Sequence, residues 1–213
     1  MKIQSVKPED IERESFAVIS RELAASGIVL SGENASVIMR CIHASADFDY
    51  ASTLEFSKGA VCIMKNLIRR GTDIVTDTNM ARAGINQKKL ALYGGSVNCF
   101  MACEDVMQEA KERGMTRAAV SMERAARLEN EVIFAIGNAP TALIRLHEMM
   151  QEGFFRPAFV IGVPVGFVNV VPAKELIAAS DVAHIINRGR KGGSSIAAAI
   201  CNAVLSEMQP PEV

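Results

Sequence analysis

The sequence has few aromatic residues and no excess of charge of either sign. Its 213 residues include nine Phe, two Tyr and no Trp, too few to predict a surface on which nucleic-acid bases stack. The 23 Lys and Arg side chains are matched by 24 Asp and Glu, so the formal net charge is −1. A near-neutral chain has no overall field that would attract nucleic acid or an anionic membrane. We therefore expect neither partner, and any charge that binds a ligand must be placed locally.

A long apolar run and a pattern of paired cysteines are also missing. The longest apolar stretch, residues 158–168, is too short to span a bilayer and contains Gly162, Pro164 and Gly166. The five cysteines are odd in number and scattered, which favours reduced thiols over a disulfide framework. The first residues are polar and acidic, unlike a secretory signal. We expect a cytoplasmic protein, and one without a metal site, because neither cysteines nor histidines have metal-ligand spacing.

From residue 73 onward, strands rich in Val and Ile alternate with amphipathic helices. This alternation is typical of a parallel sheet with helices on both faces. We predict an α/β fold with three α/β/α layers and a mainly parallel sheet, forming a single domain over residues 1–213. The predicted strands are residues 73–77, 96–101, 131–136, 158–161 and 183–186. The main predicted helices are residues 8–26, 33–46, 59–70, 104–113, 116–127, 140–150, 173–179 and 194–205.

Ligands of such sheets bind in the turns beyond the carboxyl ends of the strands. Four of these turns are rich in Gly, Pro, Asn and small hydroxyl residues, namely residues 76–80, 137–141, 162–167 and 188–195. The last turn carries Arg188, Arg190 and Lys191 just before a helix, in a stretch without acids. Free N–H groups, the helix dipole and three cations would bind an anion, although a solvated basic loop has the same pattern. Neither a P-loop nor a Gly-x-Gly-x-x-Gly sequence supports a nucleotide cofactor.

The second predicted helix carries the one candidate for acid–base chemistry. Arg40, His43 and Asp47 share one face of this helix, opposite Ile38 and Ile42. A histidine side chain can pass a proton to a substrate near neutral pH, and a neighbouring arginine can hold a substrate carboxylate. The same spacing also fits the solvated face of an amphipathic helix, so the pattern alone leaves both interpretations open.

Seven short segments of the chain form an ordered set of motifs. They are residues 11–16 (IERESF), 40–44 (RCIHA), 74–80 (IVTDTNM), 116–117 (TR), 135–143 (AIGNAPTAL), 162–168 (GVPVGFV) and 189–194 (GRKGGS). Together they resemble the precorrin-8X methylmutase family of corrinoid biosynthesis over essentially the whole chain. The GNAPTAL and GVPVGFV strings are the most specific. One departure is Ala46, where we expect the family to have Gly more often, and which affects the helix end rather than the candidate proton donor.

The resemblance implies a flavodoxin-like fold, a homodimer and an isomerase of cobalamin biosynthesis. The reaction it implies moves a methyl group from C-11 to C-12 of precorrin-8X, or of cobalt-precorrin-8. The product is then hydrogenobyrinic acid, or cobyrinic acid when cobalt is present. No cofactor is expected, because the migrating methyl group belongs to the substrate. The resemblance further implies that His43 is the catalytic proton donor and acceptor, and that Ser15 and Arg40 contact the substrate.

A substrate of this kind is a broad macrocycle with many carboxylates, so it needs cations, polar turns and apolar walls. The further substrate-binding residues that we predict are Thr116, Arg117, Asn138, Thr141, Val163, Gly166, Arg190 and Lys191, with Met80 and Phe167 as additional apolar walls. Two other classes of protein are alternatives: a Rossmann-type transferase with a nucleotide cofactor, and a non-catalytic corrinoid carrier. A carrier would not need an ionisable group at His43.

Overall fold

The structure is a computed structural model that describes residues 7–209. Its strands are β1 (Leu54–Phe56), β2 (Asp73–Thr76), β3 (Val97–Asn98), β4 (Val132–Ile136), β5 (Phe159–Gly162) and β6 (His184–Asn187). A short 3-10 helix, Pro8–Asp10, precedes α1 (Ile11–Ala25), and the other helices are α2 (Ala35–Ser45), α3 (Tyr50–Thr53), α4 (Ala60–Arg69), α5 (Asn79–Gly84), α6 (Gln87–Ala91), α7 (Glu104–Arg113), α8 (Arg117–Ala125), α9 (Pro140–Gln151), α10 (Val170–Ala178) and α11 (Ser194–Glu207).

The six strands form one sheet in the order β1-β6-β5-β4-β2-β3. The five strands from β2 onward pair in parallel, and β1 joins the edge antiparallel to β6. Along the chain the parallel strands therefore take the spatial order second, first, third, fourth and fifth, which is the flavodoxin-like order. The predicted α/β class and mainly parallel sheet are confirmed.

Alternating side chains along the strands supply apolar cores on both faces of the sheet. In β4, Ile133 and Ala135 pack on one face with α1, α2, α4 and α11. Val132, Phe134 and Ile136 pack on the other face with α8, α9 and α10. Because all five residues of β4 are buried, the strand reads as a continuous apolar run. The result is the predicted three layers of helix, sheet and helix.

Several elements differ from the sequence predictions, and three of them show why. The edge strand β1 was not predicted, since its three half-buried residues are too few to show a period. The predicted strand at 96–101 pairs only over β3, after which the chain leaves the sheet edge. Helix α10 begins three residues before the predicted residue 173 and contains Pro172 in its first turn, where the missing N–H of proline has no helical partner to lose.

Within residues 7–209, every helix is too short or too polar to span a membrane.

Candidate active site

The carboxyl ends of β2 and β4 meet where the order of the parallel strands reverses, and the side chain of Asp77 fills this place. Its carboxylate is fully buried and accepts three backbone N–H bonds, from Gly137 at 2.9 Å, Asn138 at 2.7 Å and Ala139 at 2.6 Å. Burial raises the pKa of the Asp77 carboxyl, and the three N–H groups act in the opposite direction. The N–H groups of residues 137–139, which lead into α9, are therefore already bound by a side chain of the protein itself.

Asp77 is not among the predicted site residues, although its turn is one of the four predicted to bind ligands. A signal was present, because Asp77 directly follows a buried strand at the edge where ligands of such sheets bind. Its partners lie about 60 residues further along the chain, so the spacing alone could not identify them.

The loop after β6 crosses above β5 and β4 at very short range. Gly193 N–H donates to the Val163 carbonyl at 2.9 Å, and a Cβ on Gly192 would lie 2.0 Å from that same oxygen. A Cβ on Gly137 would lie 2.7 Å from the Cα of Ser194, at the start of α11. Only glycine fits these two crossings. The turns after β4, β5 and β6 are thereby brought together, as the parallel sheet predicts.

Helix α2 carries Arg40 and His43, and both side chains contact the ring of Phe16 on α1. The exposed imidazole of His43 meets the Phe16 ring edge to face, with centroids 5.2 Å apart and planes at 70°. The Arg40 guanidinium lies over the same ring, 5.0 Å from its centroid, and pairs with Glu12. The predicted common face of Arg40 and His43 is confirmed. Phe16, the last residue of the IERESF segment, is the group that joins them.

Ser15 lies next to Phe16 on α1 and is half-buried. Its hydroxyl donates to the Ile11 carbonyl at 2.8 Å, one turn earlier in the same helix. The hydroxyl oxygen can still accept a bond from a ligand. Its contact with the substrate therefore stays a prediction.

Two of the three cations in the loop after β6 are paired with acids from other parts of the chain. Lys191 binds Asp47 at 2.7 Å and Asp49 at 2.5 Å, and Arg188 pairs with Glu55. The hydrogen bonds that Lys191 donates to Asp47 and Asp49 raise the pKa of Lys191, and the Lys191 ammonium lowers the pKa of Asp47. The expected cradle of three cations is wrong in this respect, since an acid-free stretch of sequence is not free of acids in space.

Arg190 is the remaining cation of that loop, and it is exposed. Its guanidinium lies over the Phe167 ring, 5.4 Å from the centroid, and has no carboxylate partner among residues 7–209. Its backbone carbonyl accepts the N–H of Gly166 at 3.2 Å, and Gly166 has a φ of 145° that favours glycine. The structure thus places Arg190 and Gly166 together. Lys191 meanwhile connects this loop to the residues that follow α2, the helix of His43.

The predicted polar residues of α8 and α9 form a third group. Thr116 caps α8 by accepting the Ala119 N–H at 3.2 Å, and its hydroxyl donates to Thr141 at 3.0 Å. Arg117 and Asn138 are exposed, and the Arg117 guanidinium has no carboxylate partner in the described part of the chain. The side chain of Asn138 is available to a ligand, whereas its backbone N–H is bound to Asp77.

The predicted apolar walls divide into exposed and buried residues. Phe167 is 83% exposed and Met80 71%, and Val165 and Val168 beside Phe167 are exposed as well. Val163, in contrast, is completely buried in the core with α11, so its side chain does not face an open surface. The reason is the crossing of the loop after β6, which covers the end of β5. Phe167 and Met80 can therefore contact a ligand as apolar side chains, but the Val163 side chain cannot.

Comparisons with known proteins connect this geometry to a family. The family model described as precorrin-8X methylmutase matches residues 10–207. The chain belongs to the precorrin-8X methylmutase family. Methylmutases are isomerases that move a methyl group within one molecule, so the chain is an isomerase.

Relatives named as methylmutases match almost the whole chain. A cobalt-precorrin-8 methylmutase of Priestia megaterium is 40% identical over 200 residues, 94% of this chain and 88% of the relative. A precorrin-8X methylmutase of Pseudomonas aeruginosa is 40% identical over 202 residues, 93% of this chain and 95% of the relative. The crystal structure of the precorrin-8X methylmutase of Thermus thermophilus superposes with a TM-score of 0.83 at 37% identity, covering 92% of this chain and 96% of that one.

Proposed function

We propose that this methylmutase converts precorrin-8X, or cobalt-precorrin-8, by moving a methyl group from C-11 to C-12, with His43 as proton donor and acceptor. The product is hydrogenobyrinic acid, or cobyrinic acid, in cobalamin biosynthesis. Relatives of similar identity carry both substrate names, so the proposal includes the metal-free ring and its cobalt complex. The observation that carries it is the exposed imidazole of His43 beside Arg40, in a chain of this family.

The substrate and the product of an isomerisation contain the same atoms. The protein therefore only has to help one bond break and another form. The bond from C-11 to the methyl carbon breaks and the bond from C-12 to the same carbon forms. A proton lent by the His43 imidazolium to the conjugated ring makes the migration terminus electron-poor and favours the shift. The proton returns to the imidazole when the product forms, so the cycle needs no oxidant, reductant or external methyl donor.

The carboxylates of the substrate need cations whose charge is not already paired. Arg190 and Arg117 meet this requirement among residues 7–209, whereas Lys191 and Arg188 are paired with acids. Arginine also offers a planar pair of N–H donors that matches a carboxylate. We assign the main carboxylate contacts to Arg190 and Arg117, with Arg40 shared between Glu12 and the substrate. The exposed Phe167 and Met80 supply apolar contact to the face of the ring.

A Rossmann-type transferase is disfavoured by Asp77. A nucleotide phosphate at the reversal point of the sheet needs free backbone N–H groups at the start of a helix. The N–H groups of Gly137, Asn138 and Ala139 are bound to the Asp77 side chain, so they are not available to a phosphate. A non-catalytic carrier could use the same cations, but membership of the methylmutase family favours an enzyme.

The deciding experiment incubates the purified protein anaerobically with precorrin-8X and, separately, with its cobalt complex, and follows the visible spectrum. We expect conversion of at least one substrate. His43→Ala should lose turnover while it still binds the product, and His147→Ala, which changes a histidine on α9, serves as the matched control. Conversion of neither substrate would contradict the methylmutase proposal. Full activity of His43→Ala would instead remove His43 from the mechanism and favour another proton donor.

The homodimer and the cytoplasmic location remain part of this proposal. Exposed apolar side chains on α1, Ile11 and Val18, offer a surface that a second copy can cover. Light scattering coupled to size-exclusion chromatography measures the mass directly, and a monomer at micromolar concentration would refute the dimer. The location in the reducing cytoplasm is supported by the five cysteines, all of which are free.

A further inference from the structure

A buried lysine lies beneath the loop that presents Arg190. The side chain of Lys174 on α10 is 1% exposed, and its ammonium donates to the carbonyls of Gly189 and Lys191 at 2.8 Å each. It has no carboxylate partner among residues 7–209. Burying an ammonium is unfavourable unless it is well hydrogen-bonded, so its partners give the reason for its position.

Its two acceptor carbonyls flank Arg190 on both sides. The Lys191 carbonyl also accepts the side-chain N–H of Asn187 at 2.9 Å, and the carbonyl between them, that of Arg190, accepts the N–H of Gly166. All three consecutive carbonyls of the loop are therefore held from below. With the backbone fixed in this way, the Arg190 guanidinium extends over Phe167 on the outer side.

We propose that Lys174 is a positioning residue for substrate binding, whose ammonium holds residues 189–191 so that Arg190 faces the substrate. The inference rests on the proposed function, in which Arg190 binds a substrate carboxylate. Lys174 itself does not contact the substrate. It acts through hydrogen bonds that its positive charge strengthens to about twice the energy of neutral ones.

The charge of Lys174 can be removed within the accessible pH range. Burial lowers its pKa to about 8. The charged groups that share its cavity of about 330 Å³ are Glu55 on β1, Glu175 on α10 and Arg188 in the loop, and Arg188 pairs with Glu55. The neutral amine formed above this pH keeps N–H donors but loses the charge, so the loop is held less firmly.

The first test compares Lys174→Met with the wild type and with Lys88→Met, an exposed lysine of α6, at pH 7 and pH 9.5. At pH 7 we expect Lys174→Met to raise KM about tenfold with kcat within about twofold, since the loss of hydrogen bonds worth about 1.4 kcal/mol changes an affinity tenfold. At pH 9.5 the KM ratio of variant to wild type should fall to about threefold or less, because the wild type has then lost the charge too. Other titrating groups affect both proteins and cancel in the ratio.

The second test needs no substrate. Trypsin cleaves after Arg188, Arg190 and Lys191, so native-state proteolysis followed by mass spectrometry reports how firmly the loop is held. Lys174→Met should be cut there about tenfold faster than the wild type, and Lys88→Met at the wild-type rate. If Lys174→Met does not fold, Lys174→Gln replaces it, since the amide keeps N–H donors without the charge.

Three outcomes overturn the proposal: an unchanged KM, a KM ratio that does not depend on pH, or an unchanged rate of cleavage in the loop. An unchanged KM counts against it even when cleavage is faster, because the loop would then be held without consequence for binding. If the wild type converts neither substrate, the proposed function fails separately. The proteolysis result still decides whether Lys174 holds the loop.

Discussion

Removing the Asp77 carboxylate should destabilise the protein more than any single change at its surface. In Asp77→Ala, three backbone N–H groups that now donate at 2.6–2.9 Å lose their acceptor. Asn138 is exposed, so its N–H can regain a water molecule, but those of Gly137 and Ala139 lie in buried or half-buried backbone. Two N–H groups without a partner, at about 1–3 kcal/mol each, lower the free energy of unfolding by about 2–6 kcal/mol.

The variant Asp77→Asn removes any charge of the side chain but keeps one oxygen that accepts hydrogen bonds. The amide oxygen can accept from part of the turn, while its NH₂ group faces at least one backbone donor. The unfavourable burial of a charge disappears at the same time, and we expect a loss of about 1–3 kcal/mol. The order of stability should therefore be wild type, then Asp77→Asn, then Asp77→Ala.

Equilibrium unfolding in urea, followed by far-UV circular dichroism, measures these differences. Asp181→Asn is the matched control, because Asp181 is an exposed acid paired with Arg156 and its loss should leave the midpoint close to that of the wild type. Hydrogen exchange at Gly137 and Ala139 should accelerate in both Asp77 variants. If Asp77→Ala lies within about 0.5 kcal/mol of the wild type, which is typical of a surface change, the assigned role of the carboxylate is wrong.

Two further predictions concern side chains of the proposed site. Arg190→Ala should raise the Kd of the product about tenfold or more, whereas Lys191→Ala should have a smaller effect because Lys191 is paired with two acids. Titration of both variants by absorbance checks this, and a larger effect at Lys191 would reverse the assignment. Phe16→Leu keeps an apolar side chain but removes the ring that contacts His43. We therefore expect kcat to fall by a larger factor than the affinity for the product. Wild-type kcat in Phe16→Leu would show that the ring does not orient the imidazole.

The sequence predicted those parts of the fold and of the site that are determined by residues close together along the chain. The buried run of β4 and the common face of Arg40 and His43 follow from periods of a few residues, and both are confirmed. The parallel sheet also predicted that the turns after the strands would meet. Strand β1 was missed because three residues are too few to establish a period.

Pairings between distant segments could not be predicted in the same way. Lys191 binds Asp49 across 142 residues, and an acid so far away leaves no trace in the stretch around the lysine. The contact of Asp77 with the turn after β4 spans about 60 residues and depends on the order of the strands, which composition does not determine. A lysine within a helix is usually exposed, and nothing near Lys174 in the sequence indicates otherwise. Its burial depends on the path of the loop after β6.

The contact between Asp77 and the start of α9 has a consequence for how substrate preference can change. Since the N–H groups of residues 137–139 are already bound to Asp77, we expect a ligand carboxylate to be recognised mainly by side chains, for which we proposed Arg190 and Arg117. Backbone recognition is fixed by the fold, but side-chain recognition can be altered one residue at a time. On the proposed contacts, we expect that exchanging exposed arginines for glutamines shifts the preference toward a macrocycle with amides in place of acids, while the turn beneath them keeps its shape.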